Sequence, residues 1–198
     1  LLLKDVIGET TGLRKIKAYL GNDFVLTNEF TISDKISIDV NLSKIEYNPG
    51  ENIVVKGKAT KESGKTANGY MELSLLDGNT TTLSQKATVN NGAFTVNITL
   101  PRDLEAGNNL LRFSVFEEDL SSRITNNGFV DKSISIKQVP TNLEIVFQNI
   151  PQVLPGDSIK VKAVLRDQTG VPIKTLVFLT VKNDRNKIIE QIEMPTDE

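Results

Sequence analysis

A tight turn that leads into a β-strand occupies residues 47–59, with the sequence YNPGENIVVKGKA. Proline fixes its own φ near about −65°, and the glycine after it supplies the positive φ of a type II turn. Beyond the turn, apolar and polar residues alternate with a period of two, which indicates a half-buried strand with its lysines facing water. The small Gly57 and Ala59 on the apolar face indicate that another group packs closely over them.

The same turn and strand recur at residues 153–165, with the sequence VLPGDSIKVKAVL. Pro49 and Pro155 are 155 − 49 = 106 residues apart, and Gly64 and Gly170 are 170 − 64 = 106 apart. Seven or so short alternating segments, separated by turn residues, fill one period. This is the pattern of a Greek-key sandwich of about 100 residues, so the sequence predicts an all-β chain of tandem β-sandwiches.

Composition excludes several classes of function. The net charge is −2, so no basic field is available for nucleic acid. The longest dense apolar run, Leu176–Val181, is too short to cross a bilayer, and Leu1–Leu3 are followed at once by charged residues, unlike a signal peptide. The chain begins without Met, and we expect both of its ends to lie inside a longer protein.

Residue types that carry much of enzyme chemistry are missing. The sequence has no His and no Cys, which removes the commonest general base, thiolate nucleophiles, disulfides and the usual zinc ligands. No motif context supports a Ser–Lys or paired-carboxylate site. We therefore predict that the chain is not an enzyme and uses no cofactor and no catalytic metal.

The period divides the chain into three predicted parts. Residues 1–33 are the C-terminal strands of a preceding domain, with Ile16, Ala18 and Leu20 facing inward. Residues 34–138 form one complete sandwich, in which the break in alternation at Ser43 and Lys44 predicts a β-bulge. Residues 139–198 are the N-terminal part of a following domain.

The two partial copies are nearly complementary. The strand at 176–181 is apolar on both faces, which indicates cover on two sides, as at an interface with a neighbour. Neighbouring copies of the chain can complete one sandwich between them by pairing open strand edges. The simpler interpretation is a window of nearly two periods taken from a long array.

Specific residues in the complete part resemble a known group of domains. They are Tyr47-x-Pro49-Gly50-Glu51, Gly57, Gly64, Leu75-x-Asp77-Gly78, Asn91-Gly92-x-Phe94, Leu100-Pro101, Gly107 and Leu111-x-Phe113-x-Val115. The set resembles macroglobulin-like (MG2-type) and bacterial immunoglobulin-like domains, which occur in tandem in macroglobulins and in prokaryotic S-layer and surface proteins. The resemblance implies immunoglobulin-like sandwiches at an extracellular or cell-surface location. The thioester loop of the macroglobulins needs a Cys, so their covalent trapping activity is not implied here.

Three N-glycosylation sequons begin at Asn41, Asn79 and Asn97, and glycans on them are predicted partners if the chain is secreted. A second candidate is a Ca²⁺ site at Glu117–Asp119, but without an alternating Asp/Asn/Gly ligand pattern a solvated loop is the favoured interpretation of those carboxylates. An intramolecular Lys–Asn cross-link requires a buried lysine. The repeat lysines Lys56, Lys58, Lys160 and Lys162 are all predicted to face outward.

Three functional hypotheses remain. The first is a non-catalytic segment of a long extracellular array, acting as a wall, S-layer, fibre or adhesin. Its partners would be copies of itself or other surface proteins, bound through strand edges and domain faces. The second is the scaffold or spacer part of a larger secreted enzyme or macroglobulin-like inhibitor. The third, a carbohydrate-binding module, is disfavoured because the chain has no Trp and few exposed aromatics are expected.

Overall fold

The computed structural model describes residues 10–77, 80–148, 154, 156 and 158–197, and every regular element among them is a β-strand. The strands of the first part and the middle are β1 (Gly12–Arg14), β2 (Lys17–Leu20), β3 (Asp23–Leu26), β4 (Phe30–Ile32), β5 (Ile36–Asn41), β6 (Glu46–Tyr47), β7 (Asn52–Lys61), β8 (Gly69–Asp77), β9 (Thr80–Val89), β10 (Ala93–Thr99), β11 (Gly107–Glu118) and β12 (Ile124–Ile136). The last part contains β13 (Pro140–Phe147), β14 (Val161–Asp167), β15 (Leu176–Lys182) and β16 (Ile188–Pro195).

The middle strands form the two layers of an immunoglobulin-like sandwich. One sheet has the order β10-β7-β5 and the other has the order β6-β12-β11-β8-β9. The chain changes sheet between β7 and β8 and again between β9 and β10, which is Greek-key connectivity. The predicted all-β, immunoglobulin-like fold is confirmed.

By its internal contacts the chain divides into two units. The first unit contains residues 1–43, 54–98 and 110–133, and the second contains 44–53, 99–109 and 134–198. Each of the predicted boundaries, at 33/34 and at 138/139, lies inside one of these units. Those boundaries stay predictions.

In the first unit, the core follows the predicted alternation. Strand β8 pairs antiparallel with both β9 and β11, and the inward side chains of β8 and β11 are fully buried. On β7, a Cβ at Gly57 would lie 2.2 Å from the ring of Phe94 and 2.8 Å from Val40 Cγ1. This confirms the close packing that the small residue predicts.

In the second unit, the Pro-Gly turn has the predicted geometry. The N–H of Glu51 donates to the carbonyl of Asn48 at 3.1 Å, and Gly50 has φ +76°, as a type II turn requires. The Glu51 carboxylate accepts the N–H of Asn48 and pairs with Lys44, and these contacts lower its pKa. In the second copy, Pro155 lies outside the described residues.

The break in alternation at residues 43–44 is not a β-bulge, so that prediction is wrong. Strand β5 ends at Asn41, and the chain resumes as β6, which pairs parallel with β12 in the other sheet. Tyr47 is buried there, whereas Ile45 is 75% exposed. The apolar pattern breaks because the strand changes sheet, and a change of sheet inverts which side chains face inward.

The first and last parts expose apolar side chains that the sequence predicts to be covered. The sequence predicts that Ile16, Ala18 and Leu20 face inward, but all three are exposed, Leu20 by 86%, so this prediction is wrong. Strand β15 has exposed apolar side chains on both faces. Leu176 and Phe178 are exposed on one face, and Val181 is exposed on the other. In the part of the chain that the structure describes, these strands combine a core-like composition with exposed apolar side chains.

Candidate functional site: two linker clasps

One turn is built twice with the same main-chain hydrogen bonds, 106 residues apart. In the first copy Lys61 N–H donates to Lys65 O at 2.8 Å and Gly64 N–H to Lys61 O at 2.9 Å. In the second, Asp167 N–H donates to Val171 O at 2.9 Å and Gly170 N–H to Asp167 O at 3.0 Å. Gly64 and Gly170 have φ of +81° and +85°, a conformation that favours glycine. The repeat predicted from the glycines is therefore present in the geometry of the backbone.

Each turn holds the linker that precedes its own repeat. We call the first set of contacts, residues 33–35 with 61–65 and Asn127, the first clasp. The second clasp comprises residues 137–139 with Leu104 and the turn 167–171. Each clasp lies inside a single unit of the chain.

The second clasp is centred on the carboxylate of Asp167, which is 3% exposed. Its Oδ1 accepts the N–H of Thr169 at 2.9 Å, the Thr169 hydroxyl at 2.8 Å and the N–H of Val171 at 2.9 Å. Its Oδ2 accepts the amide of Gln138, from the linker, at 3.0 Å. Burial alone would raise the pKa of Asp167, but the bonds from Gln138, Thr169 and Val171 outweigh it and lower the pKa to about 2.

The side chain of Gln168 completes the second clasp. Its Oε1 accepts the N–H of Val139 at 2.8 Å. Its Nε2 lies within hydrogen-bonding distance of two carbonyls, Leu104 O at 3.1 Å and Lys137 O at 3.2 Å. The side-chain amide of Gln168 therefore connects Lys137 and Val139, the linker residues on either side of Gln138, to the loop that contains Leu104.

The first clasp uses the matching positions with different chemistry. Glu62, which matches Gln168 at 62 + 106 = 168, donates its main-chain N–H to Lys35 O at 3.2 Å. Asn127 N–H donates to Asp34 O at 2.9 Å, and the Ser33 hydroxyl accepts the N–H of Lys35 at 3.2 Å. Here the linker is held mainly by main-chain bonds, whereas side chains hold it in the second clasp.

A buried ion pair supports the first turn from within its sandwich. Lys61, the counterpart of Asp167, places Nζ 2.6 Å from Oε2 of Glu117. The other carboxylate oxygen of Glu117 accepts the N–H of Asn68 at 2.5 Å, and the residue is only 6% exposed. The pair fixes the turn to the strand that contains Glu117.

The predicted Ca²⁺ ligands already have other partners. Glu117 points inward to Lys61, and Asp119 accepts the N–H groups of Ser121 and Arg123 while pairing with the Arg123 guanidinium at 2.8 Å. These bonds lower the pKa of Asp119. Among the described residues, no cluster of three or more carboxylate, His or Cys side chains could hold a metal ion.

The sequons and the repeat lysines lie on the surface where they are described. Asn41 ends β5 and Asn97 lies on the outward face of β10, and both are exposed; Asn79 lies outside the described residues. Glycan attachment stays a prediction. Lys56, Lys58 and Lys160 are exposed as predicted, and Lys162 is half-buried beside Asp197, at 3.9 Å.

An open groove of about 310 Å³ lies beside the first linker, lined by Thr11, Ile32, Ser33, Asp34, Arg123, Ile124, Thr125 and Asn126. Its one guanidinium is already paired with Asp119. In the described part of the chain, no buried side-chain nitrogen or oxygen is left without a hydrogen-bond partner. The groove therefore contains no buried side-chain polar atom that lacks a partner.

Sequence reasoning located the clasp turns but missed the clasps. The spacing of Gly64 and Gly170 marks both turns, whereas no spacing in the sequence indicates the contacts that Gln138 and Gln168 make. An Asp followed two residues later by Thr and three by Gly is a local signal for a side-chain-capped turn. The contacts to Gln138 and Leu104 span 29 and 64 residues, so no local pattern contains them.

Neither a protein-family model nor a curated protein matches the sequence. Among solved structures, the chain is similar to trypsin-activated alpha-2-macroglobulin from Escherichia coli, with 14% identity and a TM-score of 0.42, covering 83% of this chain and 12% of that one. It is also similar to a Salmonella alpha-2-macroglobulin mutant, Y1175G, with 14% identity and a TM-score of 0.41, covering 90% of this chain and 14% of that one. A third similar structure is the sporulation control protein Spo0M from Bacillus subtilis, with 13% identity and a TM-score of 0.37, covering 81% and 90%.

The chain spans about an eighth of the macroglobulin chains that it matches. The described residues also include no helix with the length and apolar character needed to cross a bilayer.

Proposed function

We propose that this chain is a non-catalytic structural segment of an extracellular array of immunoglobulin-like sandwiches, which keeps successive domains at a fixed spacing. The observation that carries the proposal is the clasp, a turn built twice that binds the linker before it each time. A spacer works by limiting bending at its junctions, and a linker held by several hydrogen bonds has fewer accessible conformations than a free one. The extracellular location is supported by the resemblance of the turn residues to macroglobulin-like and bacterial surface domains.

The second clasp concentrates its bonds in two side chains. Gln168 makes three contacts, to Lys137, Val139 and Leu104, and Asp167 makes four, one of them to Gln138 of the linker. A hydrogen bond contributes about 0.5–1.5 kcal/mol net, so the three contacts of Gln168 alone stabilise the closed junction by about 2–4 kcal/mol. This is enough to keep the junction closed in most molecules.

A measurement of the distance between two spin labels tests the proposal. The chain has no Cys, so Asp103→Cys and Glu193→Cys, both at exposed positions of the second unit, take two labels without competition. The expected distance distribution is narrow in the parent and clearly broader when Gln168→Ala is added. The matched control is Gln148→Ala, an exposed glutamine that should leave the width unchanged. A broad distribution in the parent itself would refute a fixed spacing.

The finer identity of the array is part of the same proposal. It would serve as a wall, S-layer, fibre or adhesive surface, with copies of itself or other surface proteins as partners. The alternative is the scaffold of a larger secreted enzyme or of a macroglobulin-like inhibitor. The sequence on either side of these residues distinguishes the two, because further repeats favour the array and a catalytic motif or a Cys-containing thioester loop favours the scaffold.

A further inference from the structure

Three aromatic side chains lie on the outward face of the five-stranded sheet. Alternate residues of β8 and β11 are fully buried, so the residues between them face outward. Tyr70 and Phe116 are two of these outward residues, and they lie opposite each other in the sheet register. Phe129 of β12 is 64% exposed, and its ring centre lies 4.8 Å from the guanidinium carbon of the outward-facing Arg112. We call the outward surface of β8, β11 and β12 that carries these three rings the aromatic face.

The rings of the aromatic face are held in place by their neighbours. Tyr70 and Phe116 stack on each other, with ring centres 5.2 Å apart and planes inclined by 29°. Phe129 lies against the guanidinium of Arg112, which donates two hydrogen bonds, each of 2.8 Å, to the carboxylate oxygens of Asp131. This two-bond pairing fixes the orientation of the guanidinium. A ligand that covers these rings therefore has little side-chain freedom to freeze.

The aromatic face has an apolar contact surface at each end and polar groups between them. Phe129 lies beside Arg112, which is four residues from Phe116 on β11, so the two aromatic positions are about 13 Å apart along the strands. Ser114 and Glu72 lie opposite each other in the space between. The Glu72 carboxylate accepts a serine hydroxyl from β9 at 2.6 Å. An extended ligand can therefore contact both aromatic positions and form hydrogen bonds in the middle.

The chemistry of the aromatic face fits an uncharged sugar chain. A pyranose ring presents C–H groups on its two faces and hydroxyls around its rim, so it can cover an aromatic ring while its hydroxyls bond to polar neighbours. The charges on the face are balanced, because Arg112 pairs with Asp131 and Lys86 lies opposite Glu72. Nucleic acid binding requires surplus positive charge, and the core of a protein interface is depleted in charged residues. A neutral sugar matches the face better than either.

We propose that the aromatic face binds a neutral oligosaccharide, with one sugar ring stacked on Phe129 and another on the Tyr70–Phe116 pair. The hydroxyls of the sugars between them bond to Ser114 and Glu72. All of these residues belong to one unit of the chain. The proposal rests on one sheet face and not on the clasps, so its failure would leave the spacer function intact.

NMR titration of the ¹⁵N-labelled chain tests the proposal with four neutral probes, cellohexaose, xylohexaose, mannohexaose and chitohexaose. At least one of the four should shift the amide signals of β8, β11 and β12, most strongly at residues 112–116 and 129–131. The signals of the β10-β7-β5 sheet should stay in place, because that sheet lies on the other side of the core. Shifts confined to strands outside the aromatic face, or no shifts with any of the four probes at millimolar concentration, would overturn the proposal.

A pair of phenylalanine substitutions then tests the stacking. Phe129→Ala should weaken binding of the active hexasaccharide by about tenfold or more, because it removes the ring at one end of the face. The control is Phe178→Ala, which removes a phenylalanine of similar exposure, 68%, from β15. This distant substitution should change the affinity by less than about twofold. The amide spectra of both variants should otherwise match the parent, which shows that they fold. Equal effects of the two substitutions, or unchanged binding in Phe129→Ala, would contradict the stacking on Phe129.

Discussion

Replacing Asp167 by asparagine isolates the energy of one buried carboxylate. The amide keeps an oxygen where Oδ1 accepts three bonds from Thr169 and Val171, but it places an NH₂ group against the donating amide of Gln138. It also removes the negative charge that strengthens all four bonds. Hydrogen bonds to a charged group contribute about 1.5–3 kcal/mol each, so we expect D167N to lower the free energy of unfolding by about 2 kcal/mol at pH 7.

The lowered pKa of Asp167 also predicts how the free energy of unfolding of the parent changes with pH. The pKa of Asp167 falls from an ordinary 3.8 to about 2 in the folded chain. A carboxylate with a lowered folded pKa contributes stability above its unfolded pKa, and this contribution disappears as the pH falls through the folded value. At about 1.36 kcal/mol per pKa unit, the contribution is about 2.5 kcal/mol. The parent should therefore lose this stability relative to D167N between about pH 5 and pH 2.

Urea unfolding followed by circular dichroism, at several pH values from 7 to 2, measures the effect. Other carboxylates titrate in both proteins and cancel in the difference. Asp184→Asn is the control, because Asp184 is exposed in a turn; its difference from the parent should stay within about 0.5 kcal/mol at every pH. The reasoning is refuted if the difference between the parent and D167N does not change with pH, or if NMR titration gives Asp167 an ordinary pKa.

Two further substitutions probe the complete sandwich. Gly57→Ala puts a Cβ 2.2 Å from the Phe94 ring and should destabilise the chain by about 1–3 kcal/mol in urea unfolding; an unchanged midpoint would show that the ring moves freely. Glu117→Ala leaves Lys61 without its buried partner and should destabilise by about 2–3 kcal/mol, whereas Glu118→Ala, an exposed neighbour, should stay within about 0.5 kcal/mol. Equal effects of the two glutamate substitutions would contradict the inward role of Glu117.

The fold could be predicted because its signals are local. A Pro-Gly turn needs only Pro49 and Gly50, and the alternation of β10 shows which side chains face inward without knowledge of its neighbours. The close packing at Gly57 was predictable for the same reason, since a missing side chain on an inward face implies a near neighbour. Such signals identify elements and their faces.

Sheet membership was not predictable from the same signals. The break at residues 43–44 fits a bulge within one strand and a change of sheet equally well, because both shift the alternation. The choice depends on β6 finding an edge beside β12, about 90 residues further along the chain. The clasps escaped prediction for the same reason, since Gln168 acts on Leu104 and Lys137 through contacts that only the folded chain creates.

The two clasps share the same main-chain turn and differ in the side chains that the turn presents. The turn itself depends on positive-φ glycines and main-chain bonds, which are the same in both copies. The residues at its first two positions differ, Lys61 and Glu62 against Asp167 and Gln168, and these decide what is held. Lys61 ties the turn to its own sandwich, whereas Asp167 ties it to the linker. The same main-chain turn is therefore tied either to its own sandwich or to the linker, according to the side chain at its first position.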